Sequence, residues 1–427
     1  MHRFQSSVVR VCCSMAVVAS LIAGCGGPSD ADIDPGRNVL SLPRIAWEGG
    51  SEYWRQFANA SDWTSPDFFP IGLWYGSFDT AEQVRWDQHL GINFYTGGLW
   101  KASDFEILKS TGMYWVGGKV NEGFDSSSKN WPGRLTDDEV DGRFPSPAAG
   151  RAHLQELEDE LRGHGQFLYG NYTQMVVGKD LAVSDQEKYV NDYTDAVSLD
   201  HYLYTNSFCD FDPYRGDQYV NPIPQSTCRT ASSYGRMTDS LRARDAADGR
   251  LQAIWNFIEV ITGVGDEKSF VRNIAPAEIK GAAMASVINE ARGIVWFQQA
   301  LGGDCLTTQP LRNAQDQGES FCGKNQVAAM GEINNLLHSL AAVLNTQSYD
   351  WDFGSQIDTM LKVIDRQAYI FAMTDGGSGE RTFTVPAGLA GSAEVVGEGR
   401  TLEIRDGKFR DSFPVESTYH IYKIALE

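Results

Sequence analysis

The chain has 427 residues, 42% hydrophobic and 22% charged, which is enough to bury a large core and predicts one big domain with a smaller companion. Its 56 acidic and 36 basic side chains leave a formal charge of -20. Such a charge repels a phosphate backbone or an anionic membrane surface, so nucleic acid is excluded as an expected partner while a neutral ligand such as a sugar is compatible.

Residues 1–24 read as a lipoprotein signal peptide: His2, Arg3 and Arg10 give a basic start, residues 11–22 are apolar, and Ile22, Ala23 and Gly24 precede Cys25. The apolar run is too short for a permanent membrane span. The tetrapeptide resembles a bacterial lipobox, which implies that Cys25 carries a lipid anchoring the protein in the bacterial cell envelope, outside the cytoplasm. An ordinary secretory peptide cut nearby is the alternative. Residues 25–45, rich in Gly, Pro and Asp, read as a flexible tether.

Cys12 and Cys13 leave with the signal and Cys25 takes lipid, so four of the seven cysteines remain in an oxidising compartment and two disulfides are expected. Three pairings are open; Cys209 with Cys228 and Cys305 with Cys322 are the local ones, each worth about 3 kcal/mol through loop closure. His89, His153, His164, His201 and His338 are dispersed, so neither a metal nor another cofactor is expected.

An aromatic lead-in (Trp47, Tyr53, Trp54, Trp63) precedes an apolar run at 69–76 that ends in glycine and is followed by a helical pattern at 80–90, a βα unit. The unit recurs with strands at 92–98, 113–118 and a fourth ending at Thr136, Asp137, Asp138 and Glu139. An amphipathic helix at 148–162 places Leu154, Leu157 and Leu161 on one face. Strands five to eight fall at 167–171, 196–204, 251–259 and 293–299, separated notably by helices at 232–246 and 276–290, the latter with Pro276 in its first turn. Eight alternations predict a (β/α)8 TIM barrel over residues 46–349. A doubly wound sheet is the competing fold, but no glycine-rich phosphate loop follows the first strand, and Gly263 with Gly265 lacks a third glycine. A helix at 326–344 finishes the barrel. Over 350–427, runs at 360–364, 368–373, 381–385, 401–404 and 419–424 predict an antiparallel β-sandwich.

Barrels of this kind carry reactive groups at the carboxyl ends of their strands. Those positions hold Trp74 and Tyr75, Trp100, Asp137 to Glu139, Asn171 and Tyr172, His201, Tyr202 and Tyr204, Glu259, and Trp296 with Gln298. Alternation through Ala253, Trp255 and Phe257 carries Glu259 onto an interior face, where a lone carboxylate is costly unless hydrogen-bonded or functional. A solvated strand end, or pairing with Arg292, is its plain structural alternative. Glu139 sits in an acidic run with Asp137, Asp138 and Asp141, a pattern also typical of a solvated loop. Tyr202 and Tyr204 are candidates to hydrogen-bond a nucleophile and His201 to orient an acid or a sugar hydroxyl; Trp74, Trp100 and Trp296 are candidate sugar platforms.

Residues 66–346 resemble the clan A glycoside hydrolases, on the runs at 69–76 (FPIGLWYG) and 90–95 (LGINFY), Asp138-Glu139, 198–202 (SLDHY), Ile258-Glu259 and 291–297 (ARGIVWF). The resemblance implies a retaining glycoside hydrolase with Glu139 as acid/base, Glu259 as nucleophile and Trp296 beneath the cleaved sugar, acting as a monomer on β-linked or arabinofuranosidic oligo- or polysaccharide. Retention requires the two carboxyls about 5–5.5 Å apart, inversion about 6.5–9.5 Å. In that family an asparagine contacting the sugar 2-hydroxyl precedes the acid/base, where this chain has Asp138, and no second-strand arginine is evident. A non-catalytic glycan-binding lipoprotein on the same barrel is therefore the alternative.

Overall fold

The computed structural model describes residues 40–263 and 269–426; the signal segment, Cys25 and most of the tether lie outside them. Eight parallel strands close into a barrel: β1 Ile71–Trp74, β2 Phe94–Thr96, β3 Tyr114–Val116, β4 Gly133–Asp138, β5 Phe167–Tyr172, β6 Ala196–Leu199, β7 Ala253–Glu259 and β8 Ile294–Phe297, with β8 pairing back onto β1. Around them run α1 Ala81–His89, α2 Phe105–Thr111, α3 Val140–Arg143, α4 Pro147–Leu161, α5 Val183–Asn191, α6 Ala231–Asp245, α7 Pro276–Ile288, α8 Pro310–Gln317, α9 Lys324–Ser339 and α10 Ala341–Leu344. Local chemistry sets several helix starts. Thr80 and Gln83 form a capping box on α1, while Ser146 caps α4 ahead of Pro147.

Strand alternation divides the core into two layers. Ile71, Leu73, Leu199, Ile254, Ile258, Ile294 and Trp296 face the helices, whereas Trp74, Phe94, Phe167, Tyr169, Trp255, Phe257 and Val295 fill the barrel. The aromatic lead-in turns out to be part of that filling. Two short 3-10 segments, Tyr53–Gln56 and Ala58–Thr64, push Trp54 and Trp63 into the lower end of the barrel. Their rings lie 5.0 Å apart, with Trp54 4.9 Å from Phe167 and Trp63 5.7 Å from Phe94. These rings fill the lower end of the barrel.

One irregularity matters for the site. On β4, Leu135 pairs with Tyr169 but Asp138 pairs with Asn171, so three residues of β4 span two of β5. This bulge breaks the alternation. Asp138 is left facing Asn171 in the barrel, while Asp137 turns outward to Arg143 (2.5 Å) and His153 (2.8 Å).

The carboxyl-terminal region comprises β9 Ser348–Tyr349, β10 Ile357–Ile364, β11 Gln367–Thr374, β12 Gly379–Thr384, β13 Leu389–Val395, β14 Arg400–Glu403, β15 Lys408–Phe413 and β16 Tyr419–Leu426. Six form an antiparallel sheet in the order β14-β13-β16-β11-β10-β9, and β12 pairs with β15. The ribbon packs on the sheet through Phe383 and Phe409, 5.2 and 4.8 Å from the Tyr422 ring. Two of these strands, β13 and β15, carry too many polar and exposed residues to register as apolar runs. The expected tether is pinned at its end: Leu40 is buried in the core of this sheet and Ile45 donates its N–H to Ser348 (3.1 Å). Among the described residues no helix is long and apolar enough to cross a membrane.

Candidate active site

Three carboxyl groups converge at the open end of the barrel. Glu139 follows β4 in a left-handed conformation (φ 50°), a strained backbone state for a residue with a side chain. Its N–H is tied to the Asn171 carbonyl at 2.9 Å, and its own carbonyl accepts from Gly142 and Arg143. Asp200, directly after β6, shares a hydrogen bond with the Glu139 carboxyl. Burial, and then the neighbouring charges of Glu139 and Asp138, hold the Asp200 carboxyl well above the usual carboxylate range. Its Oδ1 is sealed from solvent and takes no bond from an N–H or hydroxyl group. Two acidic side chains this close disfavour joint ionisation, which adds to the effect of burial on Asp200.

Asp138 sits beside the pair, pushed up to about 6 chiefly by burial and also by Glu139, against a bond from Asn171 that lowers it. A relay across the barrel fixes its position. The Tyr169 hydroxyl donates to Ser198 Oγ (2.6 Å), Ser198 to Asn171 Oδ1 (2.6 Å), and Asn171 Nδ2 to Asp138 Oδ1 (2.8 Å). These donors come from β5 and β6, so the orientation of Asp138 is set by neighbouring strands rather than by its own loop.

Glu259 ends β7 with no exposed surface. The Tyr234 hydroxyl, from α6, lies 2.9 and 2.8 Å from its two oxygens, and Thr205 also hydrogen-bonds it. Burial nevertheless pushes the group up to about 7, against those bonds. Tyr202 lies nearby: its ring is 5.0 Å from Phe297, and burial, then the charges of Asp200, Glu259, Asp138 and Glu139, raise its hydroxyl. Glu139 and Glu259 share no hydrogen bond; the group paired with Glu139 is Asp200. Arg292, considered as a mate for Glu259, instead binds Glu290 at 2.7 Å.

The other expected residues scatter. Trp74 lies in the lumen against Phe257 (5.3 Å), and Trp100 stands 61% exposed on the rim. His201 turns away from the carboxyls, packed on Phe208 (4.4 Å) and bonded to Tyr219 (3.2 Å), and burial lowers it to about 3, which leaves it neutral. Tyr204 donates to Glu416 (2.8 Å) and stacks on Tyr234 (5.5 Å), so Tyr234 performs the bond to Glu259 expected of Tyr202 or Tyr204. Trp296 has to be corrected. It is wholly buried on the helix side of β8, donating to Asn334 Oδ1 (2.9 Å), because the lumen-facing parity of that strand belongs to Val295 and Phe297. Both cysteine pairs, Cys209–Cys228 and Cys305–Cys322, form disulfides in the loops after β6 and β8. Among the described residues no group of three or more His, Cys, Asp or Glu is placed to hold a metal ion.

Two participants went unread in the sequence. Asp200 is a strand-final acid in the same parity as Ser198, which is a legible signal; Tyr234 lies one turn into a helix and offers none.

No family model and no curated protein matches the sequence. Among solved structures, Amy13B of Eubacterium rectale superposes with a TM-score of 0.51 at 9% identity, covering 85% of this chain and 97% of that one. The two share a closed (β/α)8 barrel fold. A GH30 endoxylanase of Clostridium papyrosolvens follows at a TM-score of 0.43 and 9% identity, over 91% of this chain and 98% of that one. At such identities the likeness speaks to the fold alone, and the chemistry rests on the residues at the mouth.

Proposed function

We propose that the protein is a glycoside hydrolase acting on a neutral carbohydrate, with Glu139 as the proton donor to the leaving oxygen and Asp200 as the group that keeps a proton in the pair. The observation that carries this reading is the carboxyl–carboxyl hydrogen bond between Glu139 and Asp200 at the open end of the barrel. A carboxyl held well above the usual carboxylate range at the open end of the barrel suits general acid catalysis of glycosidic cleavage.

In the retaining form of the reaction Glu259 attacks the anomeric carbon. The glycosidic C–O bond breaks as the acid's proton passes to the leaving oxygen, and a water deprotonated by the same group then releases the sugar. Tyr234 and Thr205 favour the ionised Glu259 that this requires. The complete burial of Glu259 favours a second reading, in which Asp138 or Asp200 is the working partner of Glu139 and Glu259 anchors Tyr234 and α6. Lipid anchoring through Cys25 is part of the proposal and rests on the sequence at 22–25.

The test is reducing-sugar release from a panel of soluble polysaccharides and aryl glycosides by the parent and by Glu139→Ala, Asp200→Ala and Glu259→Ala. Loss in Glu139→Ala supports the hydrolase, and equal turnover in all four proteins removes it. The anomer formed first, followed by NMR, separates the mechanisms: inversion eliminates Glu259 as a covalent nucleophile. Binding of glycans without turnover by the parent would instead support the glycan-binding lipoprotein.

A further inference from the structure

On the β1, β2 and β8 side of the mouth lies a cavity of about 330 Å³ lined by Tyr75, Ser77, Trp100, Gln299, Thr308 and Gln309, among others, within the size range of ligand sites. No charged side chain lines it. Its two aromatic walls are exposed, Tyr75 by 48% and Trp100 by 61%, in a protein that buries most of its other large apolar groups. Tyr75 is held there deliberately. It adopts a left-handed backbone (φ 53°), its carbonyl accepts from Gln298 Nε2 (2.7 Å), and its ring lies so close over Gly98 that a Cβ at that position would sit 2.8 Å from it. Folding does not require a strained backbone that presents an aromatic face to water.

The cavity opens off the centre of the barrel: Tyr75 packs edge-on against Trp74 (5.4 Å), and Trp74 against Phe257 (5.3 Å), two residues before Glu259. Ser77, Trp100 and Gln309 also line an adjoining, more polar cavity of about 190 Å³ that holds Asp79, Arg312 and Asp316. Aromatic faces match the C–H faces of pyranose rings, and the amide and hydroxyl groups between them match neutral sugar hydroxyls. The absence of lining charge and the formal charge of -20 disfavour an anionic chain.

We infer that the Tyr75–Trp100 groove is a subsite for the extended part of a neutral oligosaccharide, away from the bond that is cleaved. The inference rests on the hydrolase reading for its place in the reaction, and selects oligomers over mono- and disaccharides.

The test is titration of the full mature protein bearing Glu139→Gln, followed by intrinsic tryptophan fluorescence and calorimetry. The probes are maltohexaose, cellohexaose, xylohexaose and mannohexaose, each set against its monosaccharide. At least one hexaose is expected to bind at least tenfold more tightly than its monosaccharide, and Trp100→Ala and Tyr75→Ala each to weaken it at least tenfold. Leu306→Ser, an equally exposed apolar residue outside the lining (62% exposed), is expected to stay within twofold. Hexaose affinity indifferent to both aromatic changes, or no hexaose binding at all, overturns the subsite. Trp100-dependent hexaose binding in a parent that releases no sugar leaves the groove standing and removes the hydrolase. Glu139-dependent release with binding that ignores Trp100 and Tyr75 does the reverse.

Discussion

The carboxyl groups of Glu139 and Asp200, carried by the ends of β4 and β6, share a hydrogen bond at the mouth of the barrel. Two acids that cannot both ionise cheaply hold one proton to a higher pH than either would alone. Asp200→Asn removes the carboxyl that burial and its acidic neighbours hold above the usual range. The alkaline limb of the kcat/KM profile therefore moves to lower pH, while Glu139→Gln lowers kcat about 10²- to 10⁴-fold. An alkaline limb that stays in place in Asp200→Asn would show that the pair does not govern the reaction.

Tyr234 and Glu259 provide a separate comparison. Tyr234→Phe leaves a buried carboxyl without its main donor and is expected to cost about 1–3 kcal/mol of stability, read by urea unfolding. Glu259→Gln keeps an acceptor for the Tyr234 hydroxyl and is expected to cost less. If Glu259 is the nucleophile, Glu259→Gln nonetheless abolishes turnover; if it anchors α6, turnover survives while Tyr234→Phe lowers the melting temperature.

Stability is expected to fall between pH 5 and pH 8. Burial raises Asp138 to about 6 and Asp87, Asp141 and Glu259 to about 7, so between the ordinary carboxylate value of about 4 and these values the folded chain binds more protons than the unfolded one. Their contribution is complete below about pH 4 and is lost as the pH rises through 6 to 7. His201 and His338, both lowered by burial, act in the opposite sense but are outnumbered. Circular-dichroism melts should give a higher Tm at pH 5 than at pH 8, and a rise in Tm over that interval would refute the balance drawn here.

The plug of the lower barrel is also open to test. Trp63 is fully buried against Trp54, Phe68, Phe94, Phe167 and Trp255. Trp63→Ala is expected to cost about 3–5 kcal/mol, against well under 1 kcal/mol for a change at the exposed Leu306. Denaturant midpoints at constant slope would check it.

Strand count and order were readable because fully buried parallel strands are apolar along their whole length and glycines punctuate them. Facing was harder. β7 keeps its alternation, so the interior parity of Trp255, Phe257 and Glu259 was legible, but proximity to a second acid was not, since it depends on strand neighbours. A four-residue strand buried along most of its length carries no phase marker, so the facing of Trp296 is not encoded locally. Asp200, at the strand end two residues after Ser198, carries the same signal as Glu259, but the aromatic residues at 202 and 204 dominate the pattern there. Tyr234 and the Trp54–Trp63 plug arise from long-range packing, which no local pattern encodes.

The extra residue on β4 uncouples the two halves of that strand. Upstream of it, Leu135 answers to the packing of the barrel; downstream, Asp138 answers to Asn171. A chain lacking Thr136 would regain regular pairing and still point Asp138 inward, whereas an insertion after Asp137 would turn it out. The phase of the acidic tip is thus set by one residue of β4, while its anchorage lies on β5 and β6, so a graft onto another barrel has to carry Asn171 and Ser198 with it to hold Asp138 in place.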